Sequence, residues 1–147
     1  MDRTTCTEII LEAKQAKGLT LQEIADKLGH HVVWTTAAIM GQATMDAAEA
    51  RCLTSLLDLD DDVARALQEI PTKGSVGMAV PVDPLMYRLH EITQIYGPSI
   101  KAVIHEMFGD GIMSAIDFDI DIRRVPDPKG DRVQLVYTGK FLPYKKW

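Results

Sequence analysis

The chain carries only two cysteines, Cys6 and Cys52, and they stand in neither a CxxC nor a zinc-ligand spacing. That pattern points away from a disulfide framework or a thiolate metal site and toward structural thiols in a reducing compartment. No apolar run approaches the roughly 18 residues of a membrane span, and Met1, Asp2, Arg3, Thr4 and Thr5 do not lead into the apolar stretch of a secretory signal. The expected location is therefore the cytoplasm, with no membrane partner. Positive charge is scarce in the front half, where twelve acidic residues face six basic ones through position 70, against nine and ten thereafter. Such a front half repels nucleic acid.

What the chain does have is the composition of a globular protein, 46% hydrophobic and 25% charged in 147 residues, enough for one domain or two small ones. Ile9, Ile10, Ala13 and Ala16 recur at helical spacing between Glu8 and Lys17, and Gly18 stops them. Thr20 then stands where an N-cap precedes the stripe Leu21, Ile24, Ala25 and Leu28, which ends at Gly29. Further helices are expected over Val32 to Met40, Ala47 to Leu57 and Val63 to Ile70. The segment from Leu19 to Gly29 resembles the opening of a lambda-repressor-like helix-turn-helix, and the functional alternative it raises is a DNA-binding regulator with a C-terminal dimerisation domain. A recognition helix works through basic and amide side chains, yet Val32 to Met40 contains no Arg, Lys, Asn or Gln. The expectation is a helical bundle that binds no nucleic acid.

Pro71 to Pro81 breaks the periodicity and reads as a linker or extended arm. Beyond it Asp83-Pro84 offers an N-cap followed by proline at the first helical position, and Gly97-Pro98 is expected to end that helix and open another over Ser99 to Phe108. Leu85, Leu89, Ile92 and Tyr96 form one face of the first, and Arg88 and Glu91 are neighbours on another. By itself such a pair is a surface ion pair worth a few tenths of a kcal/mol. His90 and His105 lack ligand spacing with each other and are assigned no role. Ile116, Phe118, Ile120 and Ile122 then alternate with Asp117, Asp119 and Asp121, a strand of period two. Its phase, extended backward, puts Ile112 and Ser114 on the apolar face, so that the Ser114 hydroxyl points inward and needs a partner or a ligand. The aspartates read as a solvated sheet face and not as a calcium site. A turn over Pro126 to Asp131 leads to a second strand from Val133 to Tyr137, and two strands alone do not make a stable sheet. The fold class is thus α+β: an N-terminal all-helical bundle over residues 1–75 and a C-terminal domain of two helices and two long strands over residues 76–147, which pairs with a second subunit.

One ordered set of residues is more specific than any of these patterns. Trp34-Thr35-Thr36-Ala37-Ala38 with Gly41-Gln42, then Pro81, Asp83-Pro84, Tyr87-Arg88, Glu91, Tyr96-Gly97, Lys101-Ala102, His105-Glu106, the run from Phe108 to Phe118, and Gly139-Lys140-Phe141-Leu142-Pro143 resemble the cyanase (cyanate hydratase) family over nearly the whole chain. The resemblance implies bicarbonate-dependent decomposition of cyanate to ammonia and carbon dioxide via carbamate. It maps the family's catalytic arginine, glutamate and serine onto Arg88, Glu91 and Ser114, with Glu91 either orienting Arg88 or relaying a proton. It implies no cofactor, bicarbonate being the co-substrate, and a homodecamer of five intertwined dimers. Some relatives carry cysteine where Ser75 stands, so this chain does not rely on a thiol there.

Overall fold

The structure, a computed structural model, describes residues 1–71, 73–74 and 79–147. Thr72 and residues 75–78 lie outside the described residues, and with them Ser75 and the middle of the segment read as a linker. The chain divides into two compact units, Met1–Ser75 and Val76–Trp147.

The first unit holds α1 (Arg3–Ala16), α2 (Leu21–Leu28), α3 (Val32–Ile39), α4 (Ala47–Leu57) and α5 (Asp61–Gln68). Side chains set their ends. The Asp2 carboxylate accepts from the Thr5 N–H at 3.0 Å, so α1 starts at Arg3 and not at Glu8; its first turn has no apolar residue to announce it. Around α2, Thr20 Oγ1 accepts from Glu23 N–H at 3.1 Å while the Glu23 carboxylate accepts from Thr20 N–H at 2.7 Å, a reciprocal cap. That backbone bond, with the Thr20 hydroxyl, holds the Glu23 carboxyl below its usual range. Gly29, at φ 76°, closes the helix in the left-handed conformation that glycine adopts without strain. The last helix ends at Gln68, short of the expected Ile70. Glu69 is already extended, and Ile70 precedes Pro71, whose ring disfavours a helical conformation in the residue before it.

These helices enclose a core in which Cys6, Ile10, Ile24, Ile39, Met45, Leu53, Val63 and Leu67 are each at most 1% exposed. Arg3 fastens α1 to it, donating from Nη1 to Ala66 O at 3.0 Å and from Nη2 to Ala38 O at 2.6 Å and Ala43 O at 3.3 Å. Ala66 and Ala38 lie in the last turns of α5 and α3, where carbonyls have no partner within their own helix and attract a cation.

The second unit consists of α6 (Pro84–Phe108), β1 (Gly111–Val125) and β2 (Arg132–Pro143). Asp83 caps α6 by accepting from Leu85 N–H at 3.0 Å and Met86 N–H at 2.9 Å. The two helices expected on either side of Gly97-Pro98 are one continuous helix of 25 residues with Pro98 inside it. Proline disfavours the helical conformation in its predecessor through clashes of its ring with that residue's N–H and Cβ, and Gly97 lacks the second of these. Pro98 still forgoes the hydrogen bond its missing N–H would have made, and its ring crowds the carbonyl four residues back.

The strands pair antiparallel, with Gly111 opposite Pro143 and Val125 opposite Arg132. Between the pairs Met113–Phe141 and Phe118–Gly139 the register slips, so that Ser114 to Asp117 bulge opposite Lys140 alone. The uninterrupted alternation expected through Ile112 and Ser114 therefore fails. Ile112 is 49% exposed and Ile116 98%, whereas Ser114 is buried.

Among the described residues, every buried hydrophobic side chain belongs to the first unit, and α6 buries none of its own. The apolar face expected on that helix is real but bare: Leu85, Leu89, Ile92 and Tyr96 are 42% to 71% exposed.

Candidate active site

Arg88 and Glu91 lie one turn apart near the start of α6, and Arg88 Nη1 donates to Glu91 Oε2. The pair is open, with side chains 63% and 34% exposed. Engaging a single Nη leaves the rest of the guanidinium, a planar fork of donors that stays charged at any working pH, available to anions. Its carbon lies 5.6 Å from the centroid of the Tyr87 ring, within cation–π range.

Ser114 owes its burial to the bulge rather than to strand alternation. Its Oγ accepts from Ile116 N–H at 3.0 Å and from Asp117 N–H at 2.9 Å, which fixes the four-residue excursion. A hydroxyl has two acceptor lone pairs and one proton. With both lone pairs taken by backbone donors, Ser114 has only its proton left to offer, and its natural ligand is an acceptor such as an anion oxygen. Gly139 permits this arrangement: a Cβ there would come within 2.5 Å of both Ser114 O and Met113 Cγ.

The structure of one chain brings Arg88 to Glu91 but does not bring Ser114 to either. About 25 Å of helix rise separates Arg88 from His105. At that far end of α6, His105 Nε2 lies 3.2 Å from Gly111 O, Phe108 stacks on Phe141 at 5.1 Å, and β1 begins. No hydrogen bond or ion pair among the described residues links Ser114 to the Arg88–Glu91 pair.

Neither Tyr87 nor Gly139 leaves a trace in the periodicity of the sequence. Tyr87 adjoins Arg88 in sequence, where side chains do not normally face each other on a helix, and Gly139 acquires its meaning only from the register slip. Among the described residues no cluster of three or more His, Cys, Asp or Glu side chains is placed to hold a metal ion, and no helix is long and apolar enough to cross a membrane.

Comparison with known proteins covers the whole chain. The model of the cyanate hydratase N-terminal domain matches residues 3–71, and that of the cyanate lyase C-terminal domain matches residues 78–146. The cyanate hydratases of Cupriavidus necator and Thiobacillus denitrificans are 49% and 51% identical over 147 residues, covering all of both chains in each case. That of a Synechococcus species is 53% identical over 144 residues, covering 98% of this chain and 96% of its own. Among solved structures, the cyanase from T. urticae superposes with a TM-score of 0.83 at 40% identity, covering 94% of this chain and 96% of that one.

Proposed function

The chain belongs to the cyanate hydratase family and acts on cyanate as a lyase, and from that premise we propose that bicarbonate is its co-substrate and that Arg88, Glu91 and Ser114 form the site. A bicarbonate oxygen attacks the cyanate carbon, giving a dianionic mixed anhydride that keeps the bicarbonate proton on nitrogen. Cleavage of the bond between the bridging oxygen and the former bicarbonate carbon expels carbon dioxide. Taking up one proton, the remainder is carbamate, which with a second proton falls apart to ammonia and another carbon dioxide. Bicarbonate is thus the nucleophile, and the scheme calls for no cofactor.

Electrostatics sets the task of the residues. Two monoanions about 4 Å apart repel by roughly 4 kcal/mol at an effective dielectric near 20. Arg88 offsets this with a permanent charge and a fork that matches carboxylate oxygens in pairs. Ser114 adds a donor without adding negative charge. Glu91, ion-paired with Arg88, orients the guanidinium. The observation that carries the reading is Arg88 itself, an exposed cation engaged by Glu91 through one nitrogen, on a helix whose other face is apolar.

Because Ser114 stands at the opposite end of α6 from Arg88, we assign the two to different copies of the chain within one site. The bare apolar face of α6 and the two-stranded sheet support an obligate assembly, for which we propose the homodecamer of five intertwined dimers. Unpaired thiols at Cys6 and Cys52 support a cytoplasmic location. A helix-turn-helix regulator is not favoured, since α3 contains neither Arg nor Lys. The deciding experiment is ammonia release from cyanate, measured with and without added bicarbonate. Release that does not depend on bicarbonate would refute the scheme.

A further inference from the structure

One ion pair to a carboxylate a helical turn away is a weak restraint on an arginine as open as Arg88. The Arg88 end of the pair is mostly in water, whereas the Glu91 side chain is only 34% exposed, and a single ion pair to an open arginine holds that long side chain loosely. Yet a site that joins two anions needs its guanidinium plane fixed before they arrive, since an arginine that must be ordered on binding weakens every ligand it contacts.

A second restraint is present. The Tyr87 ring lies 5.6 Å from the Arg88 guanidinium carbon, and Tyr87 also neighbours His90, the two rings 6.3 Å apart at a tilt of 42°. His90 Nε2 is buried and has no hydrogen-bond partner among the described residues. Along the helix surface these side chains run in the order His90, Tyr87, Glu91, Arg88, so the tyrosine lies between the imidazole and the charged pair. Glu91 takes hold of Arg88 at one nitrogen, while the aromatic face attracts its flat cation. Two different attachment points restrict both the position and the plane of the fork.

We propose that Tyr87 is a positioning residue for the reaction, its aromatic face holding Arg88 in the plane in which it receives the two anions. The proposal rests on the reading of Arg88 as the anion-binding residue. What matters is the ring and not the hydroxyl, because the attraction is between a cation and a π face.

The test is made on the assembled protein, comparing Tyr87→Leu, Tyr87→Met and Tyr87→Phe with wild type. The readouts are the oxalate dissociation constant by calorimetry, KM and kcat for cyanate, and assembly by sedimentation. The aliphatic variants are expected to weaken oxalate binding and raise KM by about 3- to 30-fold, the range of a cation–π contact from exposed to desolvated, with sedimentation unchanged. Tyr87→Phe is expected to restore both to within about threefold of wild type. Equal loss in the phenylalanine variant would overturn the proposal by implicating the hydroxyl. Unaltered oxalate binding in the aliphatic variants would overturn it too, as would failure of both to assemble, which would make the ring a packing element. Arg88→Leu, run in parallel, separates the two levels of the argument. Wild-type oxalate binding there removes the underlying site, whereas loss of binding there with none in Tyr87→Leu removes only the positioning role.

Discussion

Gly139 faces Ser114 across the slip in the sheet, so closely that a Cβ on the glycine would stand 2.5 Å from the serine carbonyl oxygen. The backbone of β2 is thereby part of what shapes the serine site. Gly139→Ala is expected to destabilise the protein by about 1–3 kcal/mol, as overpacking does, and to lower kcat at least as far as Ser114→Ala. The latter should reduce the rate by about 10- to 1,000-fold, the effect of losing one preorganised donor. Thermal unfolding and steady-state kinetics on both variants check this, and a fully active Gly139→Ala enzyme would contradict it.

Arg88→Leu should abolish turnover while leaving the helical content of the chain intact, because the Arg88 side chain is exposed within its own chain and contributes nothing to the core. Arg88→Lys should retain little activity, since a point charge cannot replace the fork. Circular dichroism and sedimentation beside the activity assay separate loss of function from loss of fold.

Small dicarboxylates such as oxalate or malonate are expected to inhibit tightly, in competition with both cyanate and bicarbonate, and monocarboxylates of similar size far more weakly. One dianion presents both charges without the entropic cost of collecting two ligands, and it approximates the dianionic intermediate. Inhibition constants on wild type and on Arg88→Lys provide the check. Acetate as potent as oxalate would mean that no paired-anion site exists.

How much of this was legible in the sequence depended on how local the controlling interaction was. Thr20, Gly29 and Asp83-Pro84 announce helix ends because a cap acts within a few residues, and Arg88 and Glu91 announce their proximity because helical spacing enforces it. The continuity of α6 was hidden, since Gly97-Pro98 reads as punctuation until one considers that glycine has no Cβ for the proline ring to strike. Ser114 was read as pointing inward, but on the strength of an alternation that the bulge interrupts. What buries it is a pair of backbone donors just downstream, a feature without any periodic trace.

Activity should fall in step with dissociation. One chain neither covers the apolar face of α6 nor brings Ser114 to Arg88, so dilution or mild urea that separates subunits is expected to remove activity together with the assembly. Sedimentation and rate measurements across one dilution series test this. A monomer with full activity would refute it.

The two thiols should differ sharply. Burial pushes the Cys6 thiol up from its ordinary range, whereas Cys52 lies on the surface. Because the thiolate is the reactive form, a disulfide reagent at neutral pH is expected to titrate one group per native chain and two after denaturation. Cys52→Ala should eliminate the native reaction.

The uneven distribution of the core has a consequence for the birth of the molecule. The first unit emerges first from the ribosome carrying its whole apolar interior, so it can close as soon as α5 is made. The second unit emerges with the greasy face of α6 exposed, and among its described residues none of the hydrophobic side chains is buried. If that half is completed by a second copy, as proposed, its maturation is a bimolecular event, governed by how soon a nascent or released chain meets another and exposed until then to aggregation. Local crowding of chains on one message would shorten that interval, so the pace of synthesis itself bears on how much enzyme a cell obtains.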